Sequence, residues 1–155
     1  MTDTSITYSL TLEQLQTLWQ SMGYRMTLAD DGGPVQLLSA SQGIGFSVRP
    51  GNPSPVETNQ FVDYTLGCAL RVEDKAALAP DLIDLWHTQR RFARLTLQGD
   101  FLVLEMDVIL LGGVTQGYLR ATVELWDRVL RELVLFLRDH APRAPHPAPP
   151  KRTRS

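Results

Sequence analysis

Apolar residues recur along this chain at two spacings, and the changes between them mark out its elements. In "TLEQLQTLWQSMGY", Leu12, Leu15, Leu18, Trp19 and Met22 fall on one side of a helix, with Glu13, Gln16, Thr17 and Gln20 opposite. Thr11 and Gln14 have the spacing of a capping box, and Gly23 stands where a left-handed helix stop is wanted. The spacing then drops to two. Tyr24, Met26 and Leu28 alternate with Arg25 and Thr27, and "DDGG" turns the chain into a strand from Val35 to Ala40. A second turn, "SQG", leads to Ile44, Phe46 and Val48. "PGNPSP" is a loop, because three prolines cannot join a central ladder. A longer strand follows from Phe61 to Val72, with Val62, Tyr64, Leu66, Cys68, Leu70 and Val72 on one face.

Pro80 suits the first turn of a second helix carrying Leu82, Ile83, Leu85 and Trp86 to about Arg90. The next hairpin is the best-specified feature. "FARLTLQ", Gly99-Asp100 and "FLVLEMDVIL" match a two-residue turn with glycine first. That register sets Leu97 opposite Leu102, Leu95 opposite Leu104 and Ala93 opposite Met106, with Thr96–Val103 and Arg94–Glu105 on the other face. A slip of one residue would destroy both matches. A last helix is predicted after Thr115, its N-cap, to about Asp139. The order is therefore α-β-β-β-β-α-β-β-α, an α+β fold in one domain over residues 1–140. Residues 141–155 hold five prolines and no large apolar side chain, and a disordered, partly extended tail is expected there.

Composition narrows the function classes. A chain of 155 residues with 43% hydrophobic and 21% charged residues is an ordinary globular domain. Its one cysteine cannot form an internal disulfide, "MTDTSITYSL" lacks a signal-peptide pattern, and no run approaches the length of a membrane span. A cytoplasmic protein with no membrane contact is expected. Setting aside Arg143, Lys151, Arg152 and Arg154 moves the net charge from -2 to -6, which disfavours nucleic-acid binding by the folded body.

The candidate chemistry is sparse. Gly112-Gly113 follows an apolar strand and precedes a helix, the layout of a phosphate loop, but no lysine follows as a Walker loop requires, so a turn is predicted. Gly43-Ile44-Gly45 lacks the third glycine of a dinucleotide fingerprint. Cys68 points into an apolar face and is expected to be buried and inert. His87 reads as packing, and His140 and His146 lie where no fixed geometry is expected. Glu105 and Asp107 share a strand face. Glu105 is matched to Arg94, and Asp107 is expected near Phe92 and Arg91, which makes a charge-paired surface rather than an acid/base pair. No catalytic residue, cofactor or metal site is predicted.

The last helix stands out. Leu119, Val123, Trp126, Leu130, Leu133, Val134 and Leu137 make one stripe, and Leu125, Val129 and Phe136 a second beside it. Apolar surface spanning roughly 180° exceeds the ~100° a surface helix usually needs. Leu125, Trp126, Val129 and Phe136 are therefore the expected protein interface, unless a deeper groove between helices covers them.

Trp86, Arg91-Phe92, Arg94, Leu104, Asp107 and Gly112-Gly113-Val114, with the earlier Gly23-Tyr24 and "DDGG", resemble the YbjN family of bacterial proteins. The resemblance covers roughly residues 10 to 138, and residues 82 to 114 are its most specific part. One departure is His87, where the family more often has asparagine. The resemblance implies a fold like that of type III secretion chaperones, with helices on one side of a curved antiparallel sheet. It further implies a non-enzymatic regulator, commonly dimeric, that holds an extended client segment. The reading that follows is a chaperone-like adaptor acting through its last helix and a sheet edge, as a homodimer or with a client protein. The competing class is a small-molecule sensor or enzyme with a pocket between helices and sheet, which well-packed Trp19, Trp86 and Tyr64 would argue against.

Overall fold

The computed structural model describes residues 5–30 and 32–140, so the tail expected over 141–155 lies outside the described residues. The chain runs β1 (Ile6–Thr7), α1 (Leu12–Ser21), β2 (Thr27–Ala29), β3 (Gln36–Ser41), β4 (Ile44–Pro50), β5 (Asp63–Arg71), α2 (Leu82–Gln89), β6 (Arg94–Gln98), β7 (Phe101–Ile109), β8 (Val114–Thr115) and α3 (Gln116–His140). The predicted order survives inside this list. Two additions are β1 and β8, two residues each, which pair with one another apart from the main sheet. Nothing in a two-residue strand carries a period, so neither was visible as a pattern.

Local rules hold where the contacts are local. The backbone N–H of Gln14 donates to Thr11 Oγ1 at 3.0 Å and that of Thr11 to Gln14 Oε1 at 2.9 Å, completing the capping box of α1. The β6–β7 hairpin pairs Leu95 with Leu104, Leu97 with Leu102, Thr96 with Val103 and Arg94 with Glu105, as predicted. Gly99 has φ +59° at the first turn position, a conformation that costs glycine nothing.

Six strands form one antiparallel sheet in the order β2-β3-β4-β5-β7-β6. Its core face runs across the strands as Leu37, Val48, Leu66 and Met106, then Cys68, Leu104 and Leu95, all buried. All three helices pack on that face. The Trp19 ring of α1 lies 5.4 Å from Phe46, Trp126 of α3 lies 5.9 Å from Phe46, and Trp86 of α2 lies 5.3 Å from Phe136.

Two expectations need correction. The sheet is neither curved nor closed. It ends at β2 and β6, and its ladders run without an inserted residue, including nine consecutive pairs from Asp63–Ile109 to Arg71–Phe101. Bulges are what bend a sheet, and these ladders contain none. The second correction concerns Leu28, placed by alternation with Met26. Met26 is buried, but Leu28 is 50% exposed, because β2 is a three-residue strand at the edge of the sheet.

Candidate functional site

The expected interface on α3 is largely core. Trp126, Val129 and Phe136 are each at most 1% exposed, and only Leu125 of the four retains surface. The physical reason is the position of α3 among its neighbours. It meets the sheet through Trp126 on Phe46 and α2 through Phe136 on Trp86, and one helix facing two partners needs a wide apolar sector. The Arg90 guanidinium closes the α2 side, 5.7 Å from both the Trp86 and Phe136 rings and 3.8 Å from Glu132. The stripe is thus consumed inside the monomer.

Gly112-Gly113 is a turn. The N–H of Gly113 donates to the carbonyl of Leu110 at 2.7 Å, and both glycines have positive φ, +93° and +97°. Two residues on, Thr115 Oγ1 accepts the N–H of Tyr118 at 3.0 Å and caps α3 as predicted. Gly113 has a second constraint that the sequence did not disclose. A Cβ there would lie 2.6 Å from Ile6 Cγ2 and 2.8 Å from Tyr8 Cε1, so the N-terminal segment rests directly on its bare α-carbon.

That segment borders an open groove of about 1250 Å³. Its other walls come from α1, the loop around Pro55, the turn after β7 and the first turns of α3. Buried Leu10, Leu18, Val62 and Leu119 contribute to the lining, while Ile6, Tyr8, Val56 and Leu111 stand 46%, 63%, 84% and 69% exposed around it. Glu13, Glu57 and Arg120 are its charged residues. Large apolar side chains this exposed and this close together mark a contact surface more often than scattered ones do. Sequence reasoning missed the groove because its walls come from segments far apart in the chain. Val56 and Leu111, bulky apolar residues inside turns, were the available signal.

The opposite sheet face carries charge. Arg49 Nη2 lies 2.6 Å from Glu105 Oε2, and Arg94 bridges Glu105 at 3.2 Å and Asp107 at 2.8 Å, with Thr65 Oγ1 donating to Asp107 at 2.7 Å. The Arg94 hydrogen bond foremost, then Thr65, hold the Asp107 carboxyl below its usual range against a partial desolvation. The expected partner of Asp107 is corrected here. Arg91 instead stacks over Phe92 at 5.3 Å, and Arg94 takes both carboxylates. Arg49 could not be assigned to Glu105 in advance, since only the β4–β5–β7 register brings them together. Paired this way, the carboxylates make a salt-bridged surface.

The remaining candidates sit as follows. Cys68 is 4% exposed, and burial pushes its thiol up to about 11, partly countered by a backbone hydrogen bond to Leu104. His87 Nε2 accepts the backbone N–H of Leu95 at 3.0 Å, and Trp86 Nε1 donates to the carbonyl of Ala93 at 3.0 Å. These two bonds occupy the N–H of Leu95 in β6 and the carbonyl of Ala93 just before it, so α2 covers the start of that edge. His140 stacks on Phe136, with centroids 4.5 Å apart. Trp19, Trp86 and Tyr64 are fully buried, filling the space that a pocket between helices and sheet would need. Among the described residues, no group of three or more His, Cys, Asp or Glu could hold a metal ion, and no helix is long and apolar enough to cross a membrane.

A family model described as "YbjN: Putative bacterial sensory transduction regulator" matches residues 11–138. The chain belongs to the YbjN family. The YbjN family is one of bacterial regulators, not of enzymes, and the chain is non-enzymatic on that ground. Among solved structures, the chain is similar to one titled "Crystal structure of YbjN, a putative transcription regulator from E. coli". The two share 16% identity with a TM-score of 0.58, over 78% of this chain and 85% of the other, a likeness of fold. No curated protein matches. The α+β architecture read from the order of elements stands, and the most specific part of the YbjN resemblance, residues 82 to 114, makes up α2, the β6–β7 hairpin and the glycine turn.

Proposed function

We propose that this YbjN-family chain is a cytoplasmic, chaperone-like regulatory adaptor that holds an extended apolar segment of another protein in the groove beside β1. The observation that carries the reading is the cluster of Ile6, Tyr8, Val56 and Leu111 around an apolar-lined groove. Burying side chains of this kind contributes roughly 1.5–3 kcal/mol each before association costs are subtracted, so a short segment suffices for a transient complex. The interface moves from the α3 stripe to the groove because Trp126, Val129 and Phe136 are committed to the core. The open sheet face is a poorer surface for either a client or a second copy. Docking there would bury the Arg49–Glu105–Arg94–Asp107 network, and taking such charges out of water costs more than it returns unless every one stays paired. A second copy of the chain would dock in the groove as well.

The test is site-specific photo-crosslinking in living cells. A benzophenone side chain at Val56 or Leu111 is expected to capture discrete protein partners, and one at Thr96, on the charged sheet face, is expected to capture none. Equal capture at all three positions, or capture only at Thr96, would overturn the assignment.

A further inference from the structure

The charges of the groove are placed differently from those of the opposite sheet face. On the sheet face Arg49, Glu105, Arg94 and Asp107 are bonded to one another. The groove carries Glu13 on α1, Glu57 on the loop after Pro55 and Arg120 on α3, and all three are exposed. Among the described residues, none of these three side chains makes an ion pair or a hydrogen bond. The lining they stand over is apolar, with Leu10, Leu18, Val62 and Leu119 buried in it.

An apolar lining and free charges select a ligand in different ways. The lining accepts apolar side chains of many shapes, since their burial is non-directional. The charges discriminate, because they attract one sign at the rim and repel the other. Two of the three are carboxylates, and the body around them has the same sign. Its net charge moves from -2 to -6 once the cations after His140 are set aside. That field draws in cationic segments and turns away acidic ones.

We propose that the partner segment of the groove is apolar at its centre and flanked by lysine or arginine, whose cations pair with Glu13 and Glu57. Arg120, of opposite sign on the α3 wall, disfavours a segment that is cationic throughout. The proposal rests on the reading of the groove as the partner's site and states which partners qualify.

The test uses three fluorescent peptides of about ten residues, long enough to span roughly 33 Å when extended. They share a centre of alternating leucine and serine and carry paired lysines, glutamates or serines at both ends. Anisotropy titrations of the full chain at about 0.1 M salt should show the lysine-flanked peptide binding about tenfold tighter than the glutamate-flanked one. The serine-flanked peptide should fall between, the scale expected when a few exposed charge contacts change sign. At about 1 M salt the screening length falls from about 10 Å to about 3 Å, and the three affinities should converge. Glu13→Lys with Glu57→Lys is expected to invert the order, and Arg120→Gln to widen it. Should the lysine variant fail to fold, Glu13→Gln with Glu57→Gln is expected to shrink the preference to about twofold or less. Equal affinities for the three peptides at low salt would overturn the charge selection and leave the groove's assignment standing. A full lysine preference that survives either double variant would also overturn it, placing the contact elsewhere on the acidic body. No binding by any peptide, or binding that Val56→Ser with Leu111→Ser leaves unchanged, would overturn the groove and the selection together.

Discussion

His87 Nε2 accepts the backbone N–H of Leu95 across 3.0 Å, tying the last turn of α2 to the edge strand β6. An edge N–H left without an acceptor is exposed to competing strands, so the imidazole both satisfies and shields it. His87→Ala is expected to cost roughly 1–2 kcal/mol in urea unfolding, the usual penalty for orphaning such a donor. His87→Asn restores a side-chain acceptor there and should recover part of that loss. Equal losses for the two variants would mean that the contact contributes through packing alone.

The two glycines after β7 separate backbone strain from contact. Gly112 and Gly113 both have φ above +90°, yet a Cβ at Gly112 meets nothing within 4 Å while one at Gly113 meets Ile6 and Tyr8. Each alanine variant should lose about 1–3 kcal/mol from the strained conformation. Gly113→Ala alone should also change the environment of Tyr8, measurable from its ring resonances.

Neighbouring positions on α3 test where the apolar stripe belongs. Phe136 is 1% exposed and Leu135 is 47% exposed. Phe136→Ala is expected to cost about 3–5 kcal/mol by opening a cavity against Trp86. Leu135→Ala should stay within roughly 0.5 kcal/mol. Val129→Glu with Phe136→Glu should abolish cooperative unfolding, because it places two carboxylates inside the core. A folded double variant would return the stripe to the surface.

Alkaline pH should destabilise the protein through Cys68 and Tyr64. Burial is the chief cause of both shifts, raising the Cys68 thiol from 9.0 to about 11 and the Tyr64 phenol above its ordinary range. Between pH 9 and 11 the unfolded thiol ionises while the folded one keeps its proton, so the unfolded state binds fewer protons and stability falls as pH rises. The thiol's share of that fall is about 2–3 kcal/mol. Thermal unfolding from pH 8 to 11 should show it, and Cys68→Ala should flatten the slope between pH 9 and 10, below the phenol's contribution. A thiol reagent should label Cys68 slowly in the native protein and quickly in urea.

The sequence by itself determined what depends on neighbours along the chain or across one tight turn. The Thr11–Gln14 capping box, the Leu95–Leu104 register and the inward face of Cys68 all follow from short-range spacing, which geometry enforces wherever the segment ends up. Tertiary structure alone decided which elements meet. It set α3 against both the sheet and α2, so that Val129 and Phe136 serve the core, and it brought Arg49 to Glu105 through two strand registers. It also set Ile6 and Tyr8 on Gly113 beside the groove, residues more than a hundred positions away. Hydrophobic burial is non-directional and proportional to area. An apolar stripe therefore specifies that a helix must be covered, and only the packed fold specifies by what.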